Sequence, residues 1–102
     1  MVEINFKRDH YGYYAFQAKD HAGDALVCAA CSALGMALVS TAMNLEGARV
    51  SSHYSKGYIN LEITPTPNKR RQLVMDTVFT TVFIGLKQVE AVYKDKVRIT
   101  VE

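Results

Sequence analysis

The stretch DTVFTTVFIGL, residues 76–86, decides the architecture. Its β-branched residues favour a strand. Yet Met75, Val78, Phe79, Val82, Leu86, Val89 and Tyr93 recur at three- and four-residue steps, the spacing of one helix face. The pattern continues for more than 20 residues, well beyond an ordinary strand. We therefore read a long second helix. Beyond this stretch, Val97, Ile99 and Val101 alternate as a closing strand, and Thr66-Pro67 looks like an N-cap followed by proline at the first helical position. Upstream, Val50–Tyr54 and Tyr58–Thr64 read as strands joined by the tight turn Ser55-Lys56-Gly57.

The N-terminal half repeats this pattern of a hairpin and then a helix. Val2, Ile4 and Phe6 alternate as a strand, Asp9-His10-Tyr11-Gly12 turns, and Tyr13–Ala18 returns. Asp24 is a good N-cap for a helix running to about Asn44, and Asn44–Gly47 ends it. The order is ββαββαβ. It predicts one α+β domain over residues 1–102, a mainly antiparallel sheet with two helices packed on it.

Composition narrows the function classes. Apolar residues make up 49% of 102, enough for one core. A net charge of +2 gives no strong pull toward nucleic acid or an anionic membrane, and Lys69-Arg70-Arg71 reads as a solvated helix start. Residues 25–43 carry no charge and match a membrane span in length. Their many small residues instead favour a helix buried between a sheet and a partner. Two cysteines three apart cannot staple a secreted domain, and the charged start MVEINFKRD is no signal peptide. A cytoplasmic protein with neither a membrane nor a nucleic-acid partner is expected.

The chemistry concentrates in DHAGDALVCAACSAL, residues 20–34. Cys28 falls in the first turn of the first helix, where the dipole and backbone N–H groups favour a thiolate. His21 precedes it by a loop containing Gly23, and could fold back as general base and then acid. The same N–H groups could hold an oxyanion. Asp24, as cap, brings an opposing negative charge, or orients His21; Asp20 is a second candidate orienter. Ser32, one turn beyond Cys28, either bonds the carbonyl four residues back or supports the site. Cys28-Ala29-Ala30-Cys31 also matches a C-x-x-C redox motif. A metal site at His21, Cys28 and Cys31 lacks a fourth ligand, and no cofactor is expected.

His21-Ala22-Gly23, then Val27-Cys28-Ala29-Ala30 and Ser32-Ala33-Leu34, resemble the ribosomal-processing cysteine protease family, Prp. The element order and the closing VRITV extend the resemblance over nearly the whole chain. It implies His21 and Cys28 as catalytic residues, Ser32 as a supporting serine, and a homodimer. It also implies a peptide substrate, the N-terminal extension of a large-subunit ribosomal protein, or a capsid or scaffold protein in phage relatives. Ala22 and Gly23 belong to the loop that would gate substrate entry. Three departures stand out. Asp20 replaces the usual glycine, the His21–Cys28 loop is short, and Cys31 replaces a small apolar residue. The alternatives are a thiol–disulfide oxidoreductase using Cys28 and Cys31, or a noncatalytic ribosome- or peptide-binding protein of the same fold.

Overall fold

The computed structural model describes residues 1–20, 23–45, 48–64 and 68–102. Among the described residues, seven elements follow one another: β1 (Val2–Asp9), β2 (Gly12–Lys19), α1 (Ala25–Asn44), β3 (Arg49–Ser55), β4 (Tyr58–Thr64), α2 (Lys69–Val92) and β5 (Val97–Val101). The order is the expected ββαββαβ. The strands form one sheet in the order β3-β4-β2-β1-β5, antiparallel except for the parallel pair β1–β5. Each helix joins strands that are not neighbours. α1 carries the chain from β2 past β4 to one edge, and α2 carries it from β4 to the other.

Period-two alternation sets the two faces of the sheet. Val2, Ile4 and Phe6 of β1, Phe16 and Ala18 of β2, and Ile59, Leu61 and Ile63 of β4 are buried in one core with residues from both helices. Glu3, Asn5 and Lys7 alternate with them toward solvent. Phe6 sits at the centre, its ring 5.1 Å from Phe16 and 5.3 Å from Phe83.

The ambiguous stretch is helical. α2 buries Met75, Phe79, Val82 and Leu86 along one stripe. Its threonines are accommodated without strand pairing, because the hydroxyls of Thr77 and Thr81 donate to the carbonyls of Leu73 and Thr77 at 2.8 and 2.7 Å. The helix starts later than expected. Thr66 and Pro67 lie outside the described residues, and Asn68 is the cap, its side chain accepting from the Arg71 N–H at 3.1 Å.

α1 is long and apolar enough to cross a membrane by length and composition. In the fold, Val27, Cys31, Gly35, Leu38, Val39 and Ala42 form a buried stripe against the sheet. Gly35 permits that approach: a Cβ there would lie 3.1 Å from Ile59 Cδ1 and 3.3 Å from Phe16 Cε1. The other side of α1 leaves Leu26, Ala29, Ala33, Ala37 and Met43 exposed. The apolar surface of α1 is thus wider than the sheet can cover.

Candidate active site

Asp24 shapes the start of α1. Its Oδ1 accepts from the N–H groups of Leu26 and Val27 at 2.9 and 3.3 Å, as the sequence predicts for a cap. Its Oδ2 meets Lys96 Nζ at 2.9 Å. Lys96 stands just before β5, 72 positions along the chain. The Lys96 hydrogen bond, then those from Val27 and Leu26, hold the Asp24 carboxyl below its usual range. The Asp24 hydrogen bond in turn raises the Lys96 ammonium above its usual value.

This arrangement changes the electrostatic reading of the helix start. The negative charge expected to oppose a Cys28 thiolate has a cation beside it. The cap also takes two donors that an oxyanion would otherwise use. Cys28 N–H is engaged as well, donating to the Asp24 carbonyl at 3.0 Å. The Leu26, Val27 and Cys28 amides, which the sequence offered as possible oxyanion donors, are thus already engaged.

Cys28, half-buried, stands on the wall of a cleft of about 250 Å³. The exposed Ser32, one turn on, lines the same cleft, with Cys31 at its floor. Tyr54, Lys56, Gly57 and Tyr58 of the β3–β4 hairpin form the opposite rim, and Lys19 and Asp20 at the end of β2 close one side. The pairs Ala18↔Ile59 and Lys19↔Tyr58 put that hairpin turn beside the strand that leads into the site. The Asp20 N–H donates to the Gly57 carbonyl at 2.9 Å and pins the two rims together.

Asp20 has φ +74°, a left-handed conformation that glycine adopts without penalty. Aspartate tolerates it better than most residues, which explains physically how a non-glycine residue can stand here. Gly23 also has positive φ, +71°, with open space around it. Between them, His21 and Ala22 lie outside the described residues. The structure thus brings Cys28, Ser32 and Asp20 to one cleft and commits Asp24 to the cap and Lys96. His10 and His53 are exposed.

Cys31 is buried in the core, only 5% exposed. Burial, and then the neighbouring Cys28, push its thiol above the usual range. Lys96 and the hairpin rim were absent from the sequence reading. The turn Ser55-Lys56-Gly57 was legible, but not its position against β2.

Residues 1–98 match the family model of the cysteine protease Prp. The chain belongs to the Prp family. Its fold is also that of solved structures at low identity. The ribosomal processing protease Prp from S. aureus, solved with a covalently linked product peptide, matches at TM-score 0.81 and 22% identity, each chain covered completely. The same enzyme solved with a substrate peptide matches at TM-score 0.82 and 15% identity, again over 100% of both chains. SMU.848 from Streptococcus mutans matches at TM-score 0.77 and 21% identity, over 99% of this chain and 93% of that one. A search of curated proteins finds no match. The Prp family is one of cysteine proteases.

Proposed function

We propose that this Prp-family chain is a cytoplasmic, homodimeric endopeptidase that removes a short N-terminal extension from a large-subunit ribosomal protein or a related phage capsid or scaffold protein. The observation that carries the reading is Cys28, half-buried at the start of α1 on the wall of a cleft sized for peptide side chains. The Cys28 thiolate attacks the scissile carbonyl, and imidazolium His21 protonates the departing amine. Neutral His21 then draws a proton from water, which hydrolyses the thioester and frees Cys28. His21 takes this role on sequence grounds. Ser32 supports the reaction with a hydrogen bond from the cleft wall, and Asp20 orients His21. Ala22 and Gly23 form the substrate gate.

The homodimer reading rests on the charge-free outer face of α1, which a second copy would cover about a two-fold axis. The near-neutral net charge supports a protein partner over a nucleic acid. The test is incubation with candidate N-terminally extended ribosomal proteins, read by intact mass. One N-terminal fragment should be lost, and Cys28→Ala and His21→Ala should leave the substrate whole. A correctly folded wild-type protein that cleaves no such extension refutes the substrate assignment.

A further inference from the structure

The chain has two cysteines, and both belong to α1 and line the same cleft. They are three residues apart, so their side chains are neighbours on one helix face, with Cβ atoms about 5–6 Å apart. A disulfide needs Cβ atoms at about 3.5–4.5 Å, so a local tightening of α1 between Cys28 and Cys31, in its second turn, would bring the sulfurs together. Exposure differs between the two. Cys28 is half-buried at the wall, whereas Cys31 lies almost wholly buried at the floor, where burial pushes its thiol above the usual range. An oxidant entering the cleft therefore meets Cys28 first. Resting on the reading of Cys28 as the reactive thiol, the mechanism leaves Cys31 without a part.

We propose that Cys31 is a resolving cysteine, forming a reversible disulfide with Cys28 when peroxide oxidises the nucleophile and so switching the protease off. The Cys28 thiolate attacks hydrogen peroxide, breaking the O–O bond, and with one proton gives a sulfenic acid and water. The Cys31 sulfur then attacks the Cys28 sulfur. The S–S bond forms, the S–O bond breaks, and the hydroxyl leaves as water with the Cys31 proton. Two thiols are oxidised and one peroxide is reduced to two waters. A dithiol reductant restores both thiols by exchange and leaves as its own disulfide. The disulfide shields Cys28 from the irreversible sulfinic acid, which a lone nucleophilic cysteine reaches with further peroxide.

The experiment exposes the purified protein to hydrogen peroxide, blocks thiols with iodoacetamide, and reads intact mass. Wild type should lose about 2 Da and take up no alkyl group, and dithiothreitol should restore two alkylatable thiols. Cys31→Ala should instead gain about 32 Da. At a dose from which wild type recovers fully, Cys31→Ala should recover less than about a tenth of its own starting cleavage rate. Cys31→Ser repeats the test should the alanine variant fold poorly. A wild type that gains oxygen while Cys31 stays alkylatable overturns the switch, as does a disulfide that links two chains on a non-reducing gel. Cleavage through Cys28 without the internal disulfide also refutes the switch alone. An internal disulfide in a protein that cleaves nothing refutes the protease reading instead.

Discussion

Val82→Ala and Ile84→Ala together probe the helix on which the architecture depends. In a strand the two residues would share a face and lose similar amounts on truncation. In α2 they do not: Val82 is 5% exposed and Ile84 is 52% exposed. Truncating Val82 removes two buried carbon groups, about 1.6 kcal/mol of transfer free energy at ~0.8 each. The cavity left in a packed core adds to that, and the better helix propensity of alanine returns about 0.5 kcal/mol. The net loss is about 2 kcal/mol. Ile84 loses three groups, but half of its surface already meets water, so about 1.2 kcal/mol is removed and part is returned by propensity. Its loss stays below about 1 kcal/mol. Urea unfolding at one fixed protein concentration would read the two midpoints at unchanged slope. Equal destabilisation would refute the helical register and the core built on it.

Asp20→Val, placing a β-branched residue at φ +74°, should destabilise by about 1–2 kcal/mol, while Asp20→Gly stays within about 0.5 kcal/mol of wild type; equal melting temperatures would contradict this backbone geometry. Lys96→Met should lower stability at neutral pH by stripping Asp24 of its cation. Because folding depresses the Asp24 pKa, the gap to wild type should be full above the usual value of 3.8 and close as pH falls through the lower folded value. Because folding raises the Lys96 pKa, the gap should also persist below 10.5 and close as pH rises past the higher folded value; a gap independent of pH in thermal melts would count against the pair. Cys31→Ser should keep peptide cleavage within about tenfold while losing about 1–3 kcal/mol of stability, since a hydroxyl enters the core; abolished cleavage in a folded variant would favour the oxidoreductase alternative.

The elements were legible because they rest on local pattern. The three- and four-residue steps from Met75 to Tyr93 outweighed β-branched composition in α2, and Asp24 capped α1 as its position implied. What escaped depends on packing between distant segments. The Asn68 cap was hidden because Thr66-Pro67 offered an equally good local signal. The Asp24–Lys96 pair spans 72 positions and exists only because β5 enters the sheet beside β1. The cleft's far rim follows from the pairing of β2 with β4, which alternation alone does not specify. The left-handed φ of Asp20 was also invisible, although the glycine usual in its family was a clue to it.

In the proposed reaction Cys28 forms a covalent acyl-enzyme. Acid quenching during turnover of an N-terminally extended substrate, followed by intact mass of the enzyme, tests it most directly. Wild type should carry one acyl group equal in mass to the released N-terminal fragment, mapped to Cys28. Cys28→Ala should carry none and release no fragment. Fragment release by Cys28→Ala at most of the wild-type rate, with no acyl group at residue 28, would contradict the claim.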